Sequence, residues 1–249
     1  MTRTTNEVAP HPWRLVDDLH VTRSGAAQMQ TDLDLLDEVR AGSPAALRLY
    51  TWAAPALSIG RFQPETDVDA DACARHGVEV VRRPTGGAAL LHGGDLTYAV
   101  AMRVDTRTSV QASYDEIASA LVAGLAVVGV KAAVARHDGP PGAVCFAGQQ
   151  GADLRVGNRK VCGSAQLRRD GVVLQHGSIL LRRLSIDETD LIAGSHPRDQ
   201  LRQSTVTLDE LGAPHDPRVV ADALIVGFAR ALGMTYRQPL RTEGTSGTR

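Results

Sequence analysis

Apolar residues recur along this chain at two different spacings, and the switches between them mark the elements. In "MQTDLDLLDEV", Met29, Leu33, Leu36 and Val39 fall every three or four positions, which predicts a helix over 28–40 with one buried stripe. "ALRLYTW" and "ALSIGRF" instead read as two strands either side of an Ala-Pro turn. A short helix is predicted in "DVDADACARHG", with aspartates at its positive end and Gly77 as its stop. "VEVVRR" and "LTYAVAM" are strands that enter and leave the segment "RRPTGGAALLHGGDLTY".

The same reading continues to the C-terminal end. Tyr114, Ile117, Leu121, Leu125 and Val128 form the apolar face of a helix over 113–129, with Ser113 and Glu116 placed as a capping box. A loop rich in Gly and Pro, "HDGPPGAVCFAGQQG", follows. Then come "ADLRV", "RKVCGSAQLR" and "VVLQHGSILL", three strands joined by "GN" and "DG", both strong hairpin signals. Thr207 and Glu210 suit a second capping box, and residues 217 to 233 a last long helix. Meandering strands with helices between them predict an α+β fold: mostly antiparallel mixed sheets flanked by helices. A single domain over 13–240 is expected, with frayed polar tails at 1–12 and 241–249. A strand near "TYRQPL" closes the pattern, its direction open.

Composition narrows the function classes. The 249 residues are 43% hydrophobic, enough for one large core, and the net charge of -1 from 27 basic and 28 acidic side chains favours neither nucleic acid nor a membrane surface as partner. The start "MTRTTNEVAPHPWR" lacks the apolar centre of a signal peptide, and no apolar run is long enough to span a bilayer. Cys73, Cys145 and Cys162 match no zinc spacing, so free thiols in a reducing cytoplasm are expected and no metal site is.

Candidate chemistry gathers in three places. In 82–98, Gly86 and Gly87 let a ligand approach the main chain, Arg82 and Arg83 offer forked donors, and His92 stands nearby; together with Pro84 these read as a binding loop rather than a solvated hairpin turn. Cys145 stands in a Gly/Pro loop, where a thiol acts as nucleophile or packs under Phe146. Lys160 begins a strand that continues through the small residues Gly163, Ser164 and Ala165, which permit close approach. It either polarises a carbonyl or holds a phosphate, or is an ordinary exposed lysine. Cys162 reads as a core or wall residue, Cys73 as structural, and His176 as either pocket lining or a hydrogen-bonded structural group.

Taken together, "RRPTGGAALLHGGDLTYAV", "CFAG…DLRVGNRKVCGSAQ" and "GVVLQHGSILL", with "RLYTWAAPALSIGRFQ" before them, resemble the catalytic domain shared by biotin protein ligases, lipoate protein ligases and octanoyltransferases. Within it they are most similar to the monomeric-type octanoyltransferases, from about Trp13 to about Leu211. The resemblance implies a fold of that catalytic-domain type. It implies that octanoyl arrives as a thioester on acyl carrier protein, passes to Cys145, and ends as an amide on a lysine of a lipoyl domain, such as that of glycine cleavage H protein or a dehydrogenase E2 subunit. By the same resemblance Lys160 contacts the acyl carbonyl, and Arg82, Arg83, Thr85, Gly86, Gly87, Ala88, His92, Gly163, Ser164, Ala165, His176 and Gly177 bind substrate. The stretch Ala88 to Leu91, with Val161 and Gly163, is expected to wall the alkyl tunnel. No cofactor is required on this reading.

The sequence departs from the family at Ala88 and Gly93-Gly94, in the short loop before Cys145, and in "CFAGQQGADL" after it. Three alternatives share the motifs. An ATP- and magnesium-dependent lipoate ligase would leave Cys145 idle, and its usual loop differs from "GGA" and "HGGD" here. An amidotransferase would move octanoyl between lipoyl domains through the same cysteine. A non-catalytic binder would not need Cys145 and Lys160, and both are present.

Overall fold

The computed structural model describes residues 12–135, 153–194 and 198–237. In chain order its elements are β1 (Pro12–Asp18), α1 (Gly25–Arg40), β2 (Ala46–Tyr50), β3 (Ala56–Ile59), α2 (Ala70–His76), β4 (Glu79–Arg82), β5 (Leu90–His92), β6 (Asp95–Arg103) and α3 (Val110–Val127). There follow β7 (Ala133–Ala135), β8 (Asp153–Val156), β9 (Arg159–Arg169), β10 (Val172–Leu180), α4 (Arg198–Ser204), α5 (Pro217–Leu232) and β11 (Thr235–Arg237). Pro12, expected in the tail, opens β1, and Trp13 is buried in the core.

Among the described residues the strands form an eight-stranded sheet, ordered β11-β1-β2-β6-β10-β9-β8-β7, and a three-stranded one, β4-β3-β5. The large sheet is antiparallel except at β11-β1-β2, where both pairs are parallel. The last strand is therefore parallel to the first. The two strands read either side of the Ala-Pro turn lie in different sheets: β2 pairs with β6, while β3 pairs with β4 and β5. The chain crosses between sheets at that turn, and the gap it opens is where the candidate site lies.

Both hairpins form. At the second, Asp170 and Gly171 hold φ of 50° and 74°, the mirror-image turn whose twist matches a two-residue hairpin. α3 and α5 cover one face of the large sheet, with Ile117, Leu121, Leu125, Leu224 and Phe228 against Leu96, Tyr98 and Val100. α1 covers the other face, with Met29, Leu36 and Val39 against Ala99, Ala101 and Leu174.

Helix starts differ from two sequence expectations. α1 begins at Gly25, capped by the Ser24 hydroxyl on the Ala27 N–H. α3 is capped by Ser109 on the Ala112 N–H rather than by a box at Ser113 and Glu116. Ser113 lies one turn inside, buried, where its hydroxyl meets the Val110 carbonyl and Gln166. Ser109 offers the same side chain one turn earlier, and the turn it starts, residues 110–112, stays exposed. The Thr207–Glu210 box does form, each side chain accepting the other's backbone N–H at 3.2 and 3.0 Å, but it closes a turn and heads no helix.

Candidate active site

The segment from Arg82 to His92 leaves the end of β4, crosses the gap between the sheets and returns as β5. Its backbone is pinned from below by β3. Gly60 lies so close to it that a Cβ there would stand 1.8 Å from the Gly87 carbonyl oxygen. Gly87 holds φ of 95°, a conformation costly for any residue with a side chain.

The two arginines of this segment spend their donors on the protein itself. Arg83 is buried, with donors on the carbonyls of Ser58, Gly86 and Ala88 and on the Ser58 hydroxyl. Arg82 donates to the carbonyls of Gly60, Arg61 and Gln63 and pairs with Glu65 at 3.1 Å. Sequence reading gave both guanidinium groups to a ligand; the fold gives these donors mainly to backbone carbonyls of the loop, of the preceding turn and of Ser58 in β3.

Above the loop, Thr85, His176 and Asp32 form a buried chain. The Thr85 hydroxyl stands 2.6 Å from His176 Nε2, and His176 Nδ1 stands 2.9 Å from Asp32 Oδ2. A carboxylate only accepts, so Nδ1 carries a proton, and in the neutral ring Nε2 accepts from Thr85. Asp32 also accepts from the Tyr50 hydroxyl at 3.1 Å and from Arg48 Nη1 at 2.7 Å. Arg48 is fully buried and reaches Asp18, Gln28 and Asp32. Burial, with Asp32 beside it, pushes the Tyr50 phenol well above its ordinary pKa and keeps it a donor.

His92 has a parallel arrangement. Its Nδ1 donates to Asp95 Oδ2 at 2.9 Å, its Nε2 accepts from the Ser58 hydroxyl at 2.9 Å, and its ring stacks on Trp52 with centroids 4.0 Å apart. Burial raises the Asp95 pKa, but His92, the Ser178 hydroxyl and the Gly93 N–H outweigh it and hold the carboxyl below its usual range.

These groups surround a small cavity whose lining includes Met29, Trp52, Leu90, Gly163, Ala165 and Gly177. His92, Ser164, His176 and Arg83 also border it. At Gly177 a Cβ would stand 2.3 Å from the Gly163 carbonyl oxygen, so β9 and β10 have room there only for a glycine. The expected tunnel wall is corrected in part. Leu90 and Gly163 line the cavity, whereas Val161 lies in the core beneath α3 and α5, and Ala88, Ala89 and Leu91 face elsewhere. A residue shift of one along a strand moves a side chain to the other face, and the alternation at 88–91 was not legible through the Gly-rich turn.

Lys160 is not a surface lysine. It is 1% exposed, and its Nζ pairs with Asp153 Oδ2 at 2.9 Å across β8 and β9, beside a register shift at Leu154/Arg155. Cys162 is fully buried, and burial pushes its thiol up to about 12, which leaves no thiolate at neutral pH. Cys73 lies on the buried face of α2. Cys145 lies outside the described residues.

Sequence reading missed Asp32, Arg48, Tyr50, Asp95, Asp153 and Glu188. One signal was present: Gln28 and Asp32 fall on the same stripe as Met29, Leu36 and Val39, and polar residues on a buried stripe need buried partners. Glu188 follows β10 and is buried; its Oε2 accepts the Leu91 N–H at 3.2 Å. Burial first of all pushes its carboxyl up to about 8. Folded protein therefore holds this proton more tightly than unfolded protein, and stability is lost as pH rises from about 4.5 to about 8. Glu188→Gln is expected to remove that loss. Urea unfolding should show the variant more stable than the parent by a few kcal/mol at pH 8 and equal to it near pH 4. A difference that does not change with pH would contradict the assignment.

Residues 24–229 match the family described as the lipoyl protein ligase A/B catalytic domain. The chain belongs to this family. It is 40% identical to an octanoyltransferase LipM of Symbiobacterium thermophilum, over 93% of this chain and 90% of that one. It is 39% identical to the octanoyltransferase LipM of Kyrpidia tusciae, over 89% and 87%. Solved ligase structures share the fold. A lipoate-protein ligase A bound with ATP superposes with a TM-score of 0.77 at 23% identity, covering 92% of this chain and 88% of that one. A bi-partite lipoate protein ligase from Thermoplasma acidophilum gives 0.72 at 22%, covering 92% and 86%. In this lipoyl ligase-type domain, no helix of the described residues is long and apolar enough to cross a membrane.

Proposed function

We propose that this chain, a single catalytic domain over 13–240, is an octanoyltransferase of lipoate assembly. It takes octanoyl from octanoyl-acyl carrier protein and passes it to a lysine of a lipoyl domain. The observation that carries this reading is the 40% identity to an octanoyltransferase LipM along 93% of the chain.

The cavity supports an alkyl occupant. Its lining is largely apolar, at Met29, Trp52, Leu90 and the β9–β10 glycines. Burial of the octanoyl methylenes, at ~0.8 kcal/mol each, contributes roughly 5 kcal/mol. That energy holds the thioester carbonyl in place for attack.

The chemistry takes two steps. The Cys145 thiolate adds to the carbonyl carbon of the donor thioester; the new C–S bond forms as the carrier's C–S bond breaks, and the carrier's thiolate leaves and is protonated. The acceptor lysine then adds as a free amine; its C–N bond forms, Cys145 leaves as thiolate, and the amine's lost proton returns to it. Each step passes through an oxyanion at the former carbonyl oxygen. Lys160, paired with Asp153 at 2.9 Å, is the cation this reading assigns to stabilise it, and its burial strengthens that attraction. A thioester is already activated, so neither ATP nor any other cofactor enters.

The test is transfer itself. Octanoyl-acyl carrier protein, a purified lipoyl domain and the enzyme, without ATP, should give a hydroxylamine-stable octanoyl amide on the lipoyl domain. Modification that appears only when free octanoate, ATP and magnesium are added would replace this reading with a ligase.

A further inference from the structure

Phe62 is 83% exposed, a large ring standing in water beside the candidate site. The turn that carries it is nonetheless tightly held. Arg82 Nη1 donates to the carbonyls of Gly60, Arg61 and Gln63 at 2.8, 3.3 and 2.7 Å. The Arg61 N–H donates to the Thr85 carbonyl at 2.8 Å, and the Gln63 N–H to the Gly60 carbonyl at 3.0 Å. The ring is thus presented from a backbone already fixed to the glycine loop, and a partner that covers it loses little further entropy. The Arg61 guanidinium stands 5.4 Å from the ring centroid. An exposed aromatic flanked by arginine is the composition enriched at the centre of protein interfaces.

Next to this turn a groove of about 530 Å³ runs between α1 and β4. Arg61, Arg82 and Arg169 line it, with Val80 40% exposed between them. The acidic side chain of its lining is Glu79, which is engaged at the start of α1, where it accepts the Gly25 N–H at 2.7 Å. Met29 and Arg83 line both this groove and the acyl cavity, so the two spaces meet at that pair.

We propose that the groove and the Phe62 turn dock the donor carrier protein, whose arm passes Met29 and Arg83 to reach the cavity. This rests on the octanoyltransferase reading. Charge selects the donor over the acceptor. A carrier's acyl arm hangs from a phosphodiester, a permanent anion suited to a rim led by Arg61, with Arg82, which pairs with exposed Glu65, and Arg169, 3.8 Å from exposed Asp37, adding positive charge. A lipoyl domain leads with its lysine, a cation that the same rim repels. Phe62 seats in an apolar hollow of the carrier.

Steady-state transfer by the full chain tests this with two donors: octanoyl-acyl carrier protein, and octanoyl-N-acetylcysteamine, a thioester with neither protein nor phosphate. In Phe62→Ala, and in the Arg61→Glu/Arg169→Glu double variant, KM for the carrier donor is expected to rise about tenfold. The kcat, the small-thioester kcat/KM and the KM for the lipoyl domain should hold. Added salt should raise the parent's KM for the carrier and change that of the double variant less. Unchanged KM for the carrier in both variants overturns the proposal. So does a rise confined to the lipoyl domain, which would give the groove to the acceptor. A parent enzyme that transfers octanoyl from neither donor overturns the octanoyltransferase reading as well.

Discussion

Lys160→Ala is expected to slow octanoyl transfer about a hundred- to a thousandfold, the usual cost of losing one oxyanion donor. The substitution also removes the ion pair with Asp153, leaving that carboxylate buried at 2% exposure, so a loss of about 3–5 kcal/mol in stability accompanies it. The two effects are separable. In Lys160→Met/Asp153→Asn both charges go, and much of the stability should return because no unpaired ion remains in the interior. Transfer should stay lost. Single-turnover rates from octanoyl-acyl carrier protein, alongside urea unfolding of both variants, make the comparison. If the double variant regained transfer together with stability, Lys160 would be a structural ion and not the group at the carbonyl.

Asp32→Ala is expected to cost about 3–5 kcal/mol in stability, among the largest effects a single substitution has in a domain of this size. Asp32 is wholly buried and holds three groups at once: Arg48, the Tyr50 hydroxyl and His176. Its removal leaves Arg48, itself wholly buried, with Asp18 as its remaining carboxylate. It also frees His176 from the tautomer that accepts from Thr85, so the glycine loop loses a fastening. Unfolding in urea measures the first effect; a raised KM for the small thioester donor measures the second. Adding Arg48→Met should recover part of the stability and none of the KM, since the methionine removes the stranded charge without restoring the histidine. A variant as stable as the parent would show that Asp32 is not the hub of this network.

Much of the architecture could be read from spacing. The stripe of α1, the strands β8 to β10 with their "GN" and "DG" turns, and the stop of α2 at Gly77 all rest on local rules and formed where those rules put them, although α1 starts three residues earlier, at Gly25. The start of α3 did not, because Ser109 and Ser113 both suit a cap and only packing decides between them. The split of β2 and β3 into separate sheets was also out of reach, since pairing between partners 32 to 55 residues apart leaves no local mark.

The site was legible as a set of residues more than as a set of roles. Leu90, His92, Gly163, Ser164, Ala165, His176 and Gly177 do meet around one cavity. Arg82 and Arg83 were read as free cations, because nothing in a sequence says which backbone carbonyls will lack partners. The acidic partner Asp32 comes from an element far along the chain from His176 and was missed for the same reason. Asp95 and Asp153 stand close in sequence to His92 and Lys160 and were missed because nothing local marks a carboxylate as buried.

The measurement that bears most directly on the central claim is the intact mass of the enzyme after incubation with octanoyl-acyl carrier protein in the absence of ATP. An added octanoyl group that hydroxylamine removes, and that Cys145→Ala does not acquire, is the result expected of a cysteine thioester. An enzyme that gains no such group, yet forms octanoyl-adenylate from octanoate and ATP, would contradict it.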